Sequence, residues 1–137
     1  MNFEDEKDYI MRMIKEMIRV LMSVALGKKY TSVEMEQISK YEVSGMKLNQ
    51  LFDLIDQGEI DKAENILLGG IDYGNIEQLT AATLFYQYLS EKSDDFLQEH
   101  DFSKEEVLDG INMLMKNTGY GDLVNILEDN NMPLHSV

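Results

Sequence analysis

The most constraining stretch of this sequence is a pair of apolar-periodic segments with almost no chain between them. From Leu48 to Gly70 it reads LNQLFDLIDQGEIDKAENILLGG. Leu48, Leu51, Phe52 and Ile55 recur at i, i+3, i+4 and i+7, which lines one face of a helix. Gly58 follows where a helix C′ residue takes positive φ. Ile60, Ala63 and Leu67 restart the period at once, and Gly69-Gly70 ends it. Helices only about two residues apart must fold back on each other, so the stretch predicts an antiparallel helical hairpin.

The rest of the chain repeats this logic. Asn2 is a candidate cap, and Glu4, Asp5, Glu6 and Asp8 crowd a first turn whose dipole favours acids. The helix they open runs over 3–26, with Gly27 as its stop. Ile10, Ile14, Met17, Leu21 and Val24 step by four and three along it, a coiled-coil-like seam. Met11, Ile18, Met22 and Ala25 widen the apolar face, while Arg12, Lys15, Glu16 and Arg19 exclude a membrane span. Such a face can be core, a homodimer interface, or a membrane-surface helix.

Thr31 and Glu34 form a T-x-x-E capping box that opens a short helix to about residue 41. Ser44-Gly45 is a turn. Asn75, with Gln78 at the reciprocal position, caps a helix from Ile76 to about Ser90 that is apolar on two sides and so reads as sandwiched. Its Phe85, Tyr86 and Tyr88 either pack between helices or line a ligand groove. The acidic segment KSDDFLQEHDF is expected to hold at most one helical turn. Ser103 and Glu106 cap a helix with Val107, Leu108, Ile111, Leu114 and Met115 on one stripe, and a last short helix is expected over 122–129.

These readings predict an all-α fold of six or seven helices. They form a single domain over 1–130, with a long N-terminal helix at 3–26, a hairpin at 46–70, C-terminal helices at 76–130 and a frayed tail at 131–137. A length of 137 residues fits one core. With no cysteine, no signal-peptide pattern and no long uncharged apolar run, the expected location is the cytoplasm.

Charge narrows the function. The net charge is −14. Residues 1–30 hold six Lys/Arg against five Asp/Glu, so residues 31–137 hold six against twenty-one, a balance of −15. That surface repels phosphates, so nucleic acid is excluded as a partner and an anionic membrane is disfavoured. A protein or peptide partner would be expected to carry Lys/Arg.

Catalytic chemistry has little to stand on. No cysteine is present, no serine lies in a G-x-S-x-G setting, and GYG at 119–121 and Gly69-Gly70 lack a phosphate-loop pattern. His100, with Asp94 and Asp95, could join a carboxylate metal site, but a solvated acidic loop accounts for the cluster. The expectation is a non-enzymatic chain without cofactor or metal.

Two resemblances add to this. Gly58, Ala63, Leu67 and Gly70 resemble the turn and second helix of a tetratricopeptide unit, in which small residues let neighbouring helices approach. Lys47 and Gln50 depart from that pattern, and nothing 34 residues later repeats it, so a lone hairpin of that type is implied. The acidic start, DYIMRMIKEMIRVL and the GKKY stop resemble the opening of a family of small acidic bacterial proteins of unknown function. That resemblance implies an all-helical, tetratricopeptide-like fold and brings no activity or catalytic residues.

The function expected is a protein-interaction module that binds a peptide or helix through hairpin surfaces. The alternative is a self-assembling homodimer built on Ile10, Ile14, Met17, Leu21 and Val24. An enzyme or metal-binding protein is the third.

Overall fold

A computed structural model describes residues 3–26 and 40–118. The expected Asn2 cap, Gly27 stop, short helix beginning at Thr31, last helix over 122–129 and tail lie outside the described residues. Within them the chain is all-helical apart from one two-stranded ribbon. The order is α1 (Phe3–Leu26), β1 (Glu42–Val43), β2 (Met46–Lys47), α2 (Leu48–Asp56), α3 (Ile60–Gly69), α4 (Ile76–Ser90), α5 (Asp94–Glu99) and α6 (Lys104–Asn117).

The ribbon is a two-residue hairpin pairing Val43 with Met46 and Glu42 with Lys47. Its turn, Ser44-Gly45, takes φ of 56° and 76°, the doubly left-handed geometry that matches strand twist. The sequence reading identified the turn but not the strands, because two residues are too few to show a period.

The α2–α3 hairpin forms as the spacing requires. Gly58 has φ of +85°, and Leu48, Leu51, Phe52, Ile55, Ile60, Ala63 and Leu67 are all buried. The hairpin is fastened to the ribbon by the Ser44 hydroxyl, which donates to the Leu67 carbonyl at 2.5 Å.

Helix α4 is the most enclosed element. Residues 79–86, Leu89 and Ser90 are buried, and α1, α2, α6 and β1 all pack against it. Its buried threonine hydroxyls need no outside partner, because Thr80 and Thr83 donate to the Ile76 and Leu79 carbonyls at 2.8 and 2.9 Å. The cap of α4 differs from the expected box. Asn75 Oδ1 does accept from Gln78 N at 3.0 Å, but Gln78 Oε1 accepts from Asp72 N at 2.9 Å. The preceding loop curls back within reach, and Asn75 N already donates to Asp72 O. At α6 the reciprocal box between Ser103 and Glu106 is complete.

Helix α5 is longer than the single turn expected, at six residues, with Ser93 Oγ accepting from Phe96 N. Its anchors, Leu97 and the following Phe102, are buried. Their spacing bridges a helix and a loop, so no helical stripe announced them.

Candidate functional site

Among the described residues, one face left open by this packing is a groove of about 340 Å³ between α3 and α6. From α3 it takes Asp61, Glu64 and Leu68, at i, i+3 and i+7. From α6 it takes Glu106, Asp109, Gly110 and Met113, at i, i+3, i+4 and i+7. Two helix faces of matching period therefore look across a floor of Leu68, Phe102, Gly110 and Met113, with carboxylates on both rims.

Glu64 and Tyr86 organise the floor. The buried Tyr86 hydroxyl donates to Glu64 Oε2 at 2.7 Å. A β-carbon at position 110 would fall 2.3 Å from Tyr86 Cε1, so only glycine lets the ring reach Glu64 past α6. Burial pushes the Glu64 pKa up, and the Asp61 and Glu106 charges add to the rise against the Tyr86 hydrogen bond. Burial also raises the Tyr86 pKa, as does the Glu64 charge. Ionised Glu64 is thus poorly solvated and faced by acids, and a cation entering the groove would relieve both costs.

The expected interface seam lies elsewhere. Ile14, Met17 and Leu21 are at most 1% exposed in the chain's own core, where α1 packs against α4 and α6. One chain already covers these three side chains. Ile10 is half-buried, and the Val24 side chain lies outside the described residues.

The expected aromatic groove also fails to assemble. Phe85 and Tyr86 are fully buried and meet edge-on at 5.2 Å. Tyr88 points to another side of α4, stacked on Phe52 at 4.0 Å and 6°. Consecutive helical positions diverge by about 100°, so neighbours in sequence do not share a wall.

Tyr88 belongs instead to a polar clasp between the hairpin and the end of α4. Its hydroxyl donates to Asp56 Oδ1 at 2.6 Å, and Lys92 Nζ donates to the same oxygen at 2.5 Å. Lys92 also lies 4.8 Å from the Tyr88 ring centroid and 5.2 Å from that of Phe96. Desolvation raises the Asp56 pKa, but the hydrogen bonds from Lys92 and Tyr88 outweigh it and the net shift is downward. His100 caps the C-terminal end of α5, the helix whose first turn holds Asp94 and Asp95. Its ring packs beside Phe96, centroids 4.7 Å apart, and over Gly58. Among the described residues no group of three or more His, Asp or Glu is placed to hold a metal ion.

A model of the family of unknown function DUF6483 matches residues 4–119. The chain belongs to this family. The match spans every helix described here, from the first turns of α1 to the end of α6. No curated protein matches the chain, and no solved structure does. Among the described residues no helix is long and apolar enough to cross a membrane.

Within this family member, the groove residues were the ones sequence reasoning passed over. Asp61, Glu64, Glu106 and Asp109 are unexceptional in a chain with twenty-six acids. The available signal was Gly110, a glycine inside an otherwise clean amphipathic helix, which marks a close approach.

Proposed function

We propose that this protein is a non-enzymatic interaction module that docks a basic amphipathic helix or peptide in the groove between α3 and α6. In this reading the α2–α3 pair acts as a lone tetratricopeptide-like hairpin presenting α3, and the protein works in the cytoplasm of a bacterial cell. The observation that carries the proposal is the pairing of acids on both rims with an apolar floor. An amphipathic helix bearing Lys/Arg beside Leu or Met offers the complementary pattern. The −14 net charge supports the choice of a cationic partner over nucleic acid or an anionic membrane.

The test is fluorescence anisotropy with a labelled Lys/Leu amphipathic peptide at about 50 and 200 mM salt, concentrations that bracket physiological screening. Affinity should fall with salt, and the double charge reversal E106K/D109K should weaken binding by at least about tenfold, the loss of roughly one rim contact. No binding at either salt would overturn the proposal, as would binding that ignores the reversal.

A further inference from the structure

A second cleft, of about 240 Å³, opens where the start of α1 meets α5 and the start of α6. Its apolar side is formed by Ile10, Leu97 and Phe102. Its polar side carries two ammonium groups, Lys7 and Lys104, and two carboxylates, Asp94 and Glu105. In a chain with 26 acids against 12 bases, this balance separates the cleft from the acidic groove.

The charges are held in place. Lys7 Nζ and Asp94 Oδ2 pair at 2.9 Å, joining α1 to α5. Lys104 Nζ donates to the Ser90 carbonyl and, at 2.6 Å, to the Lys92 carbonyl. An ammonium has three donors, so one remains after these two bonds. The Asp94 carboxylate likewise has acceptor positions beyond the one facing Lys7.

We propose that this cleft binds a small zwitterion with an apolar side chain, of the chemistry of a free α-amino acid the size of leucine. Its carboxylate lies toward Lys7 and Lys104, its ammonium toward Asp94, and its side chain on Ile10, Leu97 and Phe102. The ligand dipole then runs antiparallel to the Lys7–Asp94 pair, and both charges are neutralised locally. A simple anion would be repelled by the chain's net charge, and a simple cation would meet two ammonium groups. The volume lies below the roughly 300 Å³ at which drug-sized pockets begin, which limits the ligand to a small molecule. This site shares Phe102 with the peptide groove, but its charged groups, Lys7, Asp94, Lys104 and Glu105, are none of the groove's.

The experiment is a methyl NMR titration of the full chain with L-leucine, 4-methylpentanoate (no ammonium) and 3-methylbutylamine (no carboxylate). L-leucine should give saturable shifts at the Ile10 and Leu97 methyls, and each analogue should bind at least about tenfold more weakly. The D94N variant, altered at an exposed position, should lose most of the preference for leucine over 4-methylpentanoate. The proposal is overturned by no saturable shift at about 10 mM leucine, tenfold above a millimolar dissociation constant. Equal binding of the three probes, or an unchanged preference in D94N, overturns it too.

Discussion

Substituting alanine for Gly110 sets two physical effects of opposite sign against each other. Helix propensity alone says the change should stabilise, by roughly 1 kcal/mol in a helix interior. The packing says otherwise. The new methyl would lie 2.3 Å from Cε1, 2.4 Å from Cζ and 2.7 Å from the hydroxyl of Tyr86. Tyr86 is fully buried, so its ring has no open space to swing into. Forcing a methyl into a filled core costs about 1–3 kcal/mol. Displacing the ring also breaks the 2.7 Å bond to Glu64, and a hydrogen bond to a charged group contributes about 1.5–3 kcal/mol. With midpoints for both losses, the net effect of G110A is a destabilisation of about 3 kcal/mol, several times the propensity gain. Urea unfolding followed by circular dichroism reads this as a fall in midpoint at constant slope. A second variant isolates the cause. Y86A removes the obstructing ring, so G110A/Y86A should lose at least about 1 kcal/mol less than the two single changes together. If G110A matches or exceeds the wild type, or if the two changes simply add, the close approach of α6 to Tyr86 is not what holds the groove floor.

Further outcomes follow from the same contacts. Glu64 has its pKa raised above the ordinary 4.5, so the folded chain binds that proton more tightly than the unfolded chain. The Glu64 contribution to stability should therefore fall as pH rises from about 4.5 through the raised folded value and level off above it. E64Q should abolish that component, and parallel stability-versus-pH curves for the variant and wild type would refute it. At Gly58, alanine must adopt φ of +85° and place its β-carbon 2.3 Å from the His100 ring. G58A should lose the backbone cost of about 1–2 kcal/mol plus the clash, and adding H100A should recover only the clash; thermal melts of both variants check this. Asp56 titrates low because the Lys92 and Tyr88 hydrogen bonds outweigh desolvation. Carboxyl NMR on K92M should show its pKa moving up toward 3.8, and an unmoved titration would remove Lys92 as the cause.

How much of this was legible in sequence depended on whether a residue's role is local. The α2–α3 hairpin and the Ser103–Glu106 box rest on residues within a few positions of one another, and both formed as read. The aromatic trio failed for the opposite reason. Phe85, Tyr86 and Tyr88 are near neighbours in the chain, yet Tyr86 pairs with Glu64 and Tyr88 with Phe52 and Asp56, 22 to 36 residues away. Nothing in the local pattern says which of these distant groups will face a ring.

The same division explains α1. Its apolar stripe was plain, but an apolar stripe states only that something must cover it. Whether that cover is a second copy or the chain's own α4 and α6 is settled by where the later helices come to rest, and Met17 and Leu21 ended inside the core. By itself, then, the order of apolar residues and glycines determined the helical class, the hairpin and the side of each helix that had to be hidden. Only the tertiary structure decided which spaces open between elements, among them, in the described residues, the acid-rimmed groove between α3 and α6 and the balanced cleft beside α1. The reason is that helix formation is governed by contacts three and four residues apart, whereas a groove is the space between elements whose meeting depends on the packing of the whole chain.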